Sequence, residues 1–256
     1  MAIHEQAIVD PSAQIADDVV IGPWTYIGPD VVIDEGSWIS SHVVIKGPTQ
    51  IGKRNKVFQF SSVGEDCQDK KYSGEPTRLV IGDDNVIRES CTIHRGTVQD
   101  AGITSIGSRN LLMAYTHVAH DCIVGNDIIL ANNATLAGHV HVDDWAILGG
   151  GTMVHQFCKI GAHSMCAGGS IVLRDVPAYV MAGGQSASAH GLNSEGLKRR
   201  GYTPETILSL KRAYKVVYRQ GLTLAQATEI LNESADTPEL KLFLDSIKRS
   251  DRGIIR

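Results

Sequence analysis

The sequence predicts a mainly β chain, a β-solenoid of six-residue units followed by a small α-helical region. Three observations carry this. Aliphatic residues recur every six positions over about two thirds of the 256 residues. Glycine is plentiful at 26 while aromatic residues make up only 5%, so the core has to be built from aliphatic side chains and tight turns. After Pro177 the six-residue period stops, and from about Gly191 the apolar spacing becomes helical.

The first run steps from Ile3 through Val9, Ile15, Ile21, Ile27, Ile33, Ile39, Ile45, Ile51 and Val57 to Val63. Four residues after each of the first ten stands Ala7, Ala13, Val19, Thr25, Val31, Ser37, Val43, Thr49, Asn55 or Ser61, small or β-branched except at Asn55. A helical face recurs with 3.6 residues per turn, so a period of six excludes it, and β-branching favours short strands. One unit is too small to bury its own aliphatic side chain, and the units therefore have to stack. Glu65 to Leu79 is polar and loses the aliphatic slots at Asp69 and Glu75. The phase returns at Ile81, Ile87 and Ile93, slips by one residue across Gly96 to Thr104, and runs from Ile106 through Leu112, Val118, Val124, Leu130, Leu136, Val142, Leu148, Val154, Ile160 and Cys166 to Val172. Both interruptions read as loops leaving a rigid scaffold, where function commonly sits.

In the tail, Thr203-Pro204 is an N-cap with proline at the first helical position, ahead of Ile207, Leu210, Tyr214 and Val217. Thr223 caps a second helix, and Thr237-Pro238 repeats the first signal. Domain boundaries are expected at 1-190 for the solenoid and 191-256 for the helical part, which holds 12 of the 24 basic residues.

Composition excludes several classes. With 24 basic against 28 acidic residues, a net charge of -4 gives no global attraction for nucleic acid or an anionic membrane. No apolar stretch approaches the roughly 20 residues of a membrane span. The start, MAIHEQAIVDPS, has no basic region leading into an apolar one, so a cytoplasmic location is expected. Cys67, Cys91, Cys122, Cys158 and Cys166 include no pair at the spacing of a zinc knuckle; Cys91, Cys122 and Cys158 fall in the small inward slot and Cys166 in the aliphatic one, which assigns these four to core packing.

The chemistry has to come from polar residues that the solenoid aligns. His120, His139 and His155 lie in units that start at Val118, Leu136 and Val154, 18 apart, with Gln156 beside the last and His117 at the corner before the first. The resemblance of the six-residue pattern to hexapeptide-repeat proteins, with 18 residues per coil, implies that the three form a column about one strand spacing from one another. Neutral imidazole suits a general base or a metal ligand, and the spacing does not choose.

The six-residue pattern resembles the hexapeptide-repeat proteins, whose fold is a left-handed parallel β-helix with three hexapeptides per triangular coil. The stretches HRGTVQD (94–100), NLLMAYTHVAHDCIVGN (110–126), LAGHVHVDDWAILGG (136–150), VHQFCKIGAH (154–163) and NSEGLKRRG (193–201) are similar, in order over nearly the whole chain, to the UDP-N-acetylglucosamine O-acyltransferase family of lipid A biosynthesis. That resemblance implies a homotrimer, no metal and no cofactor, and transfer of a 3-hydroxyacyl chain from acyl carrier protein to the 3-hydroxyl of UDP-N-acetylglucosamine. It makes His120 the general base, Asp121 the residue that orients it, and Gly138 the backbone N–H facing the developing oxyanion. It implies substrate contacts from Gln68, Asp69, Lys71, His117, His139, His155, Gln156, Asn193, Glu195, Arg199 and Arg200, and a chain-length gauge at Gly168. Alternation along a strand would point His120 and Asp121 to opposite faces, so adjacency alone does not establish their contact.

The chain departs from the family at Lys70, where leucine is usual, and in GGQSASAHGLN (183–193), where Gln185 stands in an asparagine slot. Three other readings carry weight. A hexapeptide-repeat carbonic anhydrase would draw zinc ligands from His94, His117, His120 and His139, but leaves the basic tail without a task. A non-catalytic scaffold would make the histidines incidental. The N-acyltransferase of the same pathway carries an additional N-terminal domain, whereas here the repeat begins at Ile3.

Overall fold

The computed structural model describes residues 2–256. Their six-residue units become strands of two to four residues that wind into a left-handed parallel β-helix. Its three faces are parallel sheets of 11, 9 and 8 strands, with an antiparallel addition at the end of the first. We call them sheet A, which begins with Ala2–Ile3, sheet B, with Ile8–Val9, and sheet C, with Gln14–Ile15. Ile3 pairs with Ile21, Val9 with Ile27 and Ile15 with Ile33, so each aliphatic stacks on the one 18 residues later. Ile21, Ile27, Ile33, Ile39 and Ile45 are at most 1% exposed. At roughly 1.5–3 kcal/mol per buried aliphatic side chain, this stack is the main source of cohesion.

Most corners from the second coil onward turn on one residue in the left-handed region, such as Trp24 (φ 57°) between A and B, Asp121 (58°) between B and C, and Trp145 (66°) between C and A. Left-handed backbone costs a non-glycine residue about 1–2 kcal/mol. The conformation recurs along all three edges, so it belongs to the fold and not to a site. Asn55, the exception in the small inward slot, is fully buried: its Nδ2 donates to Gly52 O and Gly82 O, and its Oδ1 accepts from Asn85 N and Nδ2. Asn85 repeats the arrangement toward Asn110, so an internal amide ladder continues the core where an aliphatic would leave carbonyls without donors. Cys91, Cys122, Cys158 and Cys166 are fully buried in the core, and burial pushes the thiols of Cys122 and Cys166 up to about 12 and that of Cys158 to about 11.

Strand register explains both interruptions. Val63 pairs with Ile93, 30 residues on instead of 18, so the first loop adds twelve residues, two whole units, and the phase survives. Ile81 pairs with Ile106, so the second adds seven, one unit and one residue, which is the slip.

At the far end, Val180–Gly183 and Ser188–Leu192 pair antiparallel. Four helices follow: α1 (Ser194–Arg199), α2 (Pro204–Tyr218), α3 (Leu224–Ser234) and α4 (Pro238–Lys248). The hydroxyls of Thr203, Thr223 and Thr237 cap α2, α3 and α4, as their sequence signals predict. Among the described residues no helix is long and apolar enough to cross a membrane. The last residues strap back onto the solenoid: Asp175 N–H donates to Gly253 O, Ile255 N–H to Asp175 O, and Ser250 Oγ–H to Asp175 Oδ2. Ile254 and Ile255 are nearly inaccessible there. Removing residues 251–256 uncovers these two side chains and the edge they close, and should lower unfolding stability by about 3–6 kcal/mol, read from the shift in a urea or guanidinium transition.

Candidate active site

Both loops, residues 66–77 and 95–102, leave the solenoid at the edge between sheets B and C, in successive coils. The same edge in the next three coils is formed by His120–Asp121, Gly138–His139 and Gln156–Phe157. Val118 pairs with Leu136 and Leu136 with Val154, so the corner carries two adjacent columns: His120, Gly138, Gln156 and, beside it, Asp121, His139, Phe157. This corrects the expected column of His120, His139 and His155. Those residues are 19 and 16 apart rather than 18, so His155 falls level with Ala137, while His139 lies diagonally across from His120 with ring centroids 5.1 Å apart.

His120 Nδ1 lies 2.8 Å from Asp121 Oδ2. The two neighbours meet because they occupy a corner, where the left-handed backbone of Asp121 cancels strand alternation. A carboxylate only accepts, so Nδ1 carries the hydrogen and Nε2 keeps its lone pair. The Asp121 side chain is 1% exposed. Burial pushes its carboxyl up, but the hydrogen bonds from His120 and Thr97 together outweigh that and hold it below its ordinary value. A Cβ on Gly138 would stand 2.6 Å from His120 Nε2 and 2.5 Å from Cε1, so only glycine leaves the ring its place. Among the described residues no protein acceptor takes the Gly138 N–H.

His139 Nδ1 is 2.8 Å from Asp100 Oδ2 on the second loop, and its ring stacks on Phe157 at 4.4 Å. His117 Nδ1 bonds the Thr92 hydroxyl at 2.7 Å, and the rings of His117 and His94 meet edge to face at 5.1 Å. Burial lowers the imidazole of His117, with the His120 charge adding to it. The donor atoms of His120, Asp121 and His139 lie within 4.8 Å of one another, a possible grip on a metal ion. That trio differs from the histidine set considered for zinc: it takes in Asp121 and leaves out His94 and His117.

The first loop is pinned at its root. Arg95, nearly buried, donates to Gly64 O and Tyr72 Oη and pairs with Asp66, and Lys46 pairs with Glu65. Gln68 and Lys71 project into solvent, as does Lys70; Asp69 is half-buried and accepts from Lys71 N at 3.0 Å. Thr97, Asp100, Phe157 and Arg95 were not singled out by sequence reasoning; the phase slip flagged the loop that holds Thr97 and Asp100, but nothing marked which of its residues turn inward.

The expected residues of the tail, and Gly168, lie at other edges of the same chain, whereas His155 and Gln156 stay at the B–C edge. Asn193 is buried at the edge between C and A, where its Oδ1 caps α1 through Gly196 N and its Nδ2 donates to His163 O. Arg200 Nη1 donates to His163 Nδ1 and Nη2 to Trp145 O, so half of this guanidinium is spent inside the chain. Glu195 is exposed and paired with Lys198, while Arg199 is exposed with no protein partner among the described residues. His155 and Gln156 are exposed beside Phe157. Gly168 sits at the edge between A and B, stacked on Gly150, whose oxygen a Cβ would meet at 3.2 Å.

Family models match two parts of the chain in keeping with this architecture: one described as UDP N-acetylglucosamine O-acyltransferase, domain 2, over residues 175–255, and one as bacterial transferase hexapeptide (six repeats) over 103–138. A third, described as the GMPPB C-terminal domain, matches 3–101. The chain is 59% identical over 255 residues to the acyl-(acyl-carrier-protein)–UDP-N-acetylglucosamine O-acyltransferase of Stutzerimonas stutzeri, with 99% of each chain covered. It is similar to the solved LpxA of Acinetobacter baumannii, with a TM-score of 0.98, 54% identity and 100% of both chains covered. The structure of UDP-N-acetylglucosamine O-acyltransferase from Moraxella catarrhalis also superimposes with a TM-score of 0.98, at 50% identity, again over 100% of both chains.

One buried and one half-buried histidine make the fold acid-sensitive. Burial holds His94 down to about 4, helped by His117, and holds His163 down to about 4, helped by Arg200. Unfolding returns both toward 6.5, so between these values the unfolded chain binds more protons and stability falls as pH is lowered through the window. The thermal midpoint should therefore decline from about pH 6.5 to about pH 4. His163→Phe, which keeps a stacking ring but takes no proton, should flatten the decline.

Proposed function

The chain belongs to the UDP-N-acetylglucosamine O-acyltransferase family and is an acyltransferase, and from that premise we propose that it moves a 3-hydroxyacyl chain from acyl carrier protein to the 3-hydroxyl of UDP-N-acetylglucosamine, the first step of lipid A biosynthesis. The observation that carries the mechanism is the His120–Asp121 pair, which commits Nδ1–H to a buried carboxylate and leaves Nε2 as the acceptor. Nε2 takes the proton of the sugar hydroxyl while its oxygen forms a bond to the thioester carbonyl carbon. The carbonyl oxygen gains the negative charge, and the uncommitted N–H of Gly138, with no Cβ between it and the ring, is the donor proposed to face it. Collapse breaks the C–S bond, and the proton on His120 goes to the leaving sulfur. Asp121 is a positioning residue here, and no step calls on a metal.

A homotrimer reconciles the scattered contacts. The outward residues of sheet A are almost all apolar, among them Val20, Trp38, Leu111, Ile129, Ile147 and Met165, and the edge between A and B exposes Trp24, Phe60 and Tyr115. Sheet C instead turns Gln14, Gln50, Ser105, His141 and Lys159 outward. Three copies meeting along their A–B edges would lay sheet A of one on sheet B of the next. The B–C edge of each copy, with His120, would then face the C–A edge of a neighbour, with Arg199, Arg200 and Asn193. In this reading the free guanidinium of Arg199 meets the diphosphate, His117, His139, His155 and Gln156 flank the sugar, and Gln68, Asp69 and Lys71 close over it from the first loop. Gly168 lies across sheet B from the His120 edge and three coils on, about 14 Å along the axis, where it can gauge the acyl chain.

In purified protein given UDP-N-acetylglucosamine and 3-hydroxyacyl-acyl carrier protein with chelator present, an O-acylated nucleotide sugar should form, and His120→Ala should lower its rate at least about 10²-fold with little change in substrate affinity. Activity that is lost to chelator and restored by zinc would replace this reading with a metal site on His120, Asp121 and His139. An open groove at Gly168 predicts a donor of about 14 carbons preferred over one of 10 by roughly a hundredfold, at about 0.8 kcal/mol per buried methylene. Gly168→Met should turn the preference toward shorter chains; unchanged preference with lowered stability would make Gly168 structural.

A further inference from the structure

The second loop supplies the His120–Asp121 pair with a partner that no sequence signal marks. Thr97 is 1% exposed, and both of its hydrogens go to one carboxylate: the backbone N–H to Asp121 Oδ1 at 2.8 Å and the hydroxyl to Asp121 Oδ2 at 2.6 Å. Oδ2 is the oxygen that accepts His120 Nδ1–H. The Asp121 N–H in turn donates to the Thr104 hydroxyl at 2.8 Å, which fixes the backbone from which the carboxylate hangs.

Other buried hydroxyls of the solenoid behave differently. Those of Thr25, Ser37, Ser61 and Thr152 each give their hydrogen to a backbone carbonyl of a neighbouring coil, as structural hydroxyls in a stacked fold should. Thr97 alone among these gives it to an ionised side chain, and does so from a loop that the coil does not need. A carboxylate held at both oxygens cannot rotate about its Cβ–Cγ bond, and a second donor on Oδ2 reduces that oxygen's pull on the imidazole proton.

We propose that Thr97 is a positioning residue for the acyl transfer: it clamps Asp121 in the orientation that presents Oδ2 to His120 and restrains the proton affinity of that oxygen, so that the imidazole holds its Nδ1–H tautomer and keeps Nε2 aimed at the substrate. The inference rests on the reading of His120 as the base. The other ionisable groups facing the pair are His94 and His117 from sheet B, His139 from the next coil, Cys67 from the first loop and Asp100 from the second, and a substitution at Thr97 leaves all of them in place.

The test compares Thr97→Val, which keeps the shape and removes the hydroxyl, with Thr97→Ser, which keeps the hydroxyl, in full-length protein assayed across pH. The valine variant should lose about tenfold in kcat with KM little changed, a loss in keeping with a small misplacement of a reacting group. Its acid limb in kcat should move to higher pH, because Oδ2 without the second donor favours the protonated pair. Serine should restore both. If the valine variant folds poorly by its thermal midpoint, Thr97→Ala gives the same comparison without added apolar bulk. A hydroxyl-free variant with wild-type kcat and pH profile overturns the proposal, as does a loss that serine repeats or that leaves the acid limb in place. His120→Ala, assayed alongside, separates the two readings: if it stays active the base assignment fails, and if it is inactive while Thr97→Val matches wild type, only the role of Thr97 fails.

Discussion

Everything in this molecule depends on register between coils. A parallel strand of two residues has almost no stability of its own, and the coil closes because each inward Ile, Val or Leu rests on the one a full turn earlier. The same stacking fixes the outward side chains to within one strand spacing. His120 and Gly138 are neighbours for no reason other than that Val118 and Leu136 are. The site thus inherits its precision from the core: the ring of His120 is confined by a glycine one coil away and a carboxylate one residue away, both rigidly connected to buried aliphatics.

The repeat, its two interruptions and the three threonine caps were legible because each leaves a local mark, a period or a punctuating residue. The size of the interruptions was not. An insertion of two whole units preserves the phase, so Ile81 falls in step with Val63 and the interruption does not show that twelve additional residues stand between the coils. The histidine column failed for a related reason: intervals of 19 and 16 resemble 18 on the page, yet a shift of one or two residues at a corner moves a side chain out of the column, and His155 falls beside it. The His120–Asp121 contact could not be read at all from strand alternation, since it depends on a left-handed residue at the turn.

The chain also divides its polar chemistry among its edges. The B–C edge gathers the carboxylates and imidazoles. The C–A edge uses equally polar residues to hold the helical part in place, with His163 between the rings of Trp145 and Tyr179 and bonded to Arg200 and Tyr202. Because a guanidinium only donates, His163 Nδ1 must accept, and the ring's remaining hydrogen is fixed on Nε2 toward the tyrosine. Similar residue types thus leave an imidazole nitrogen unbonded at one edge and commit both ring nitrogens to the protein at another.

The five cysteines have a practical consequence. All are buried, those in the coils replace an aliphatic or a small residue, and burial lifts every one of their thiols above the ordinary value. Peroxides, disulfide reagents and soft electrophiles react with the thiolate, a form these side chains scarcely populate near neutrality and offer at no open surface. The folded protein should therefore tolerate an oxidising medium, and its first sulfur chemistry on exposure to such reagents would report that coils had opened, which makes thiol labelling a clock for the unwinding of the solenoid.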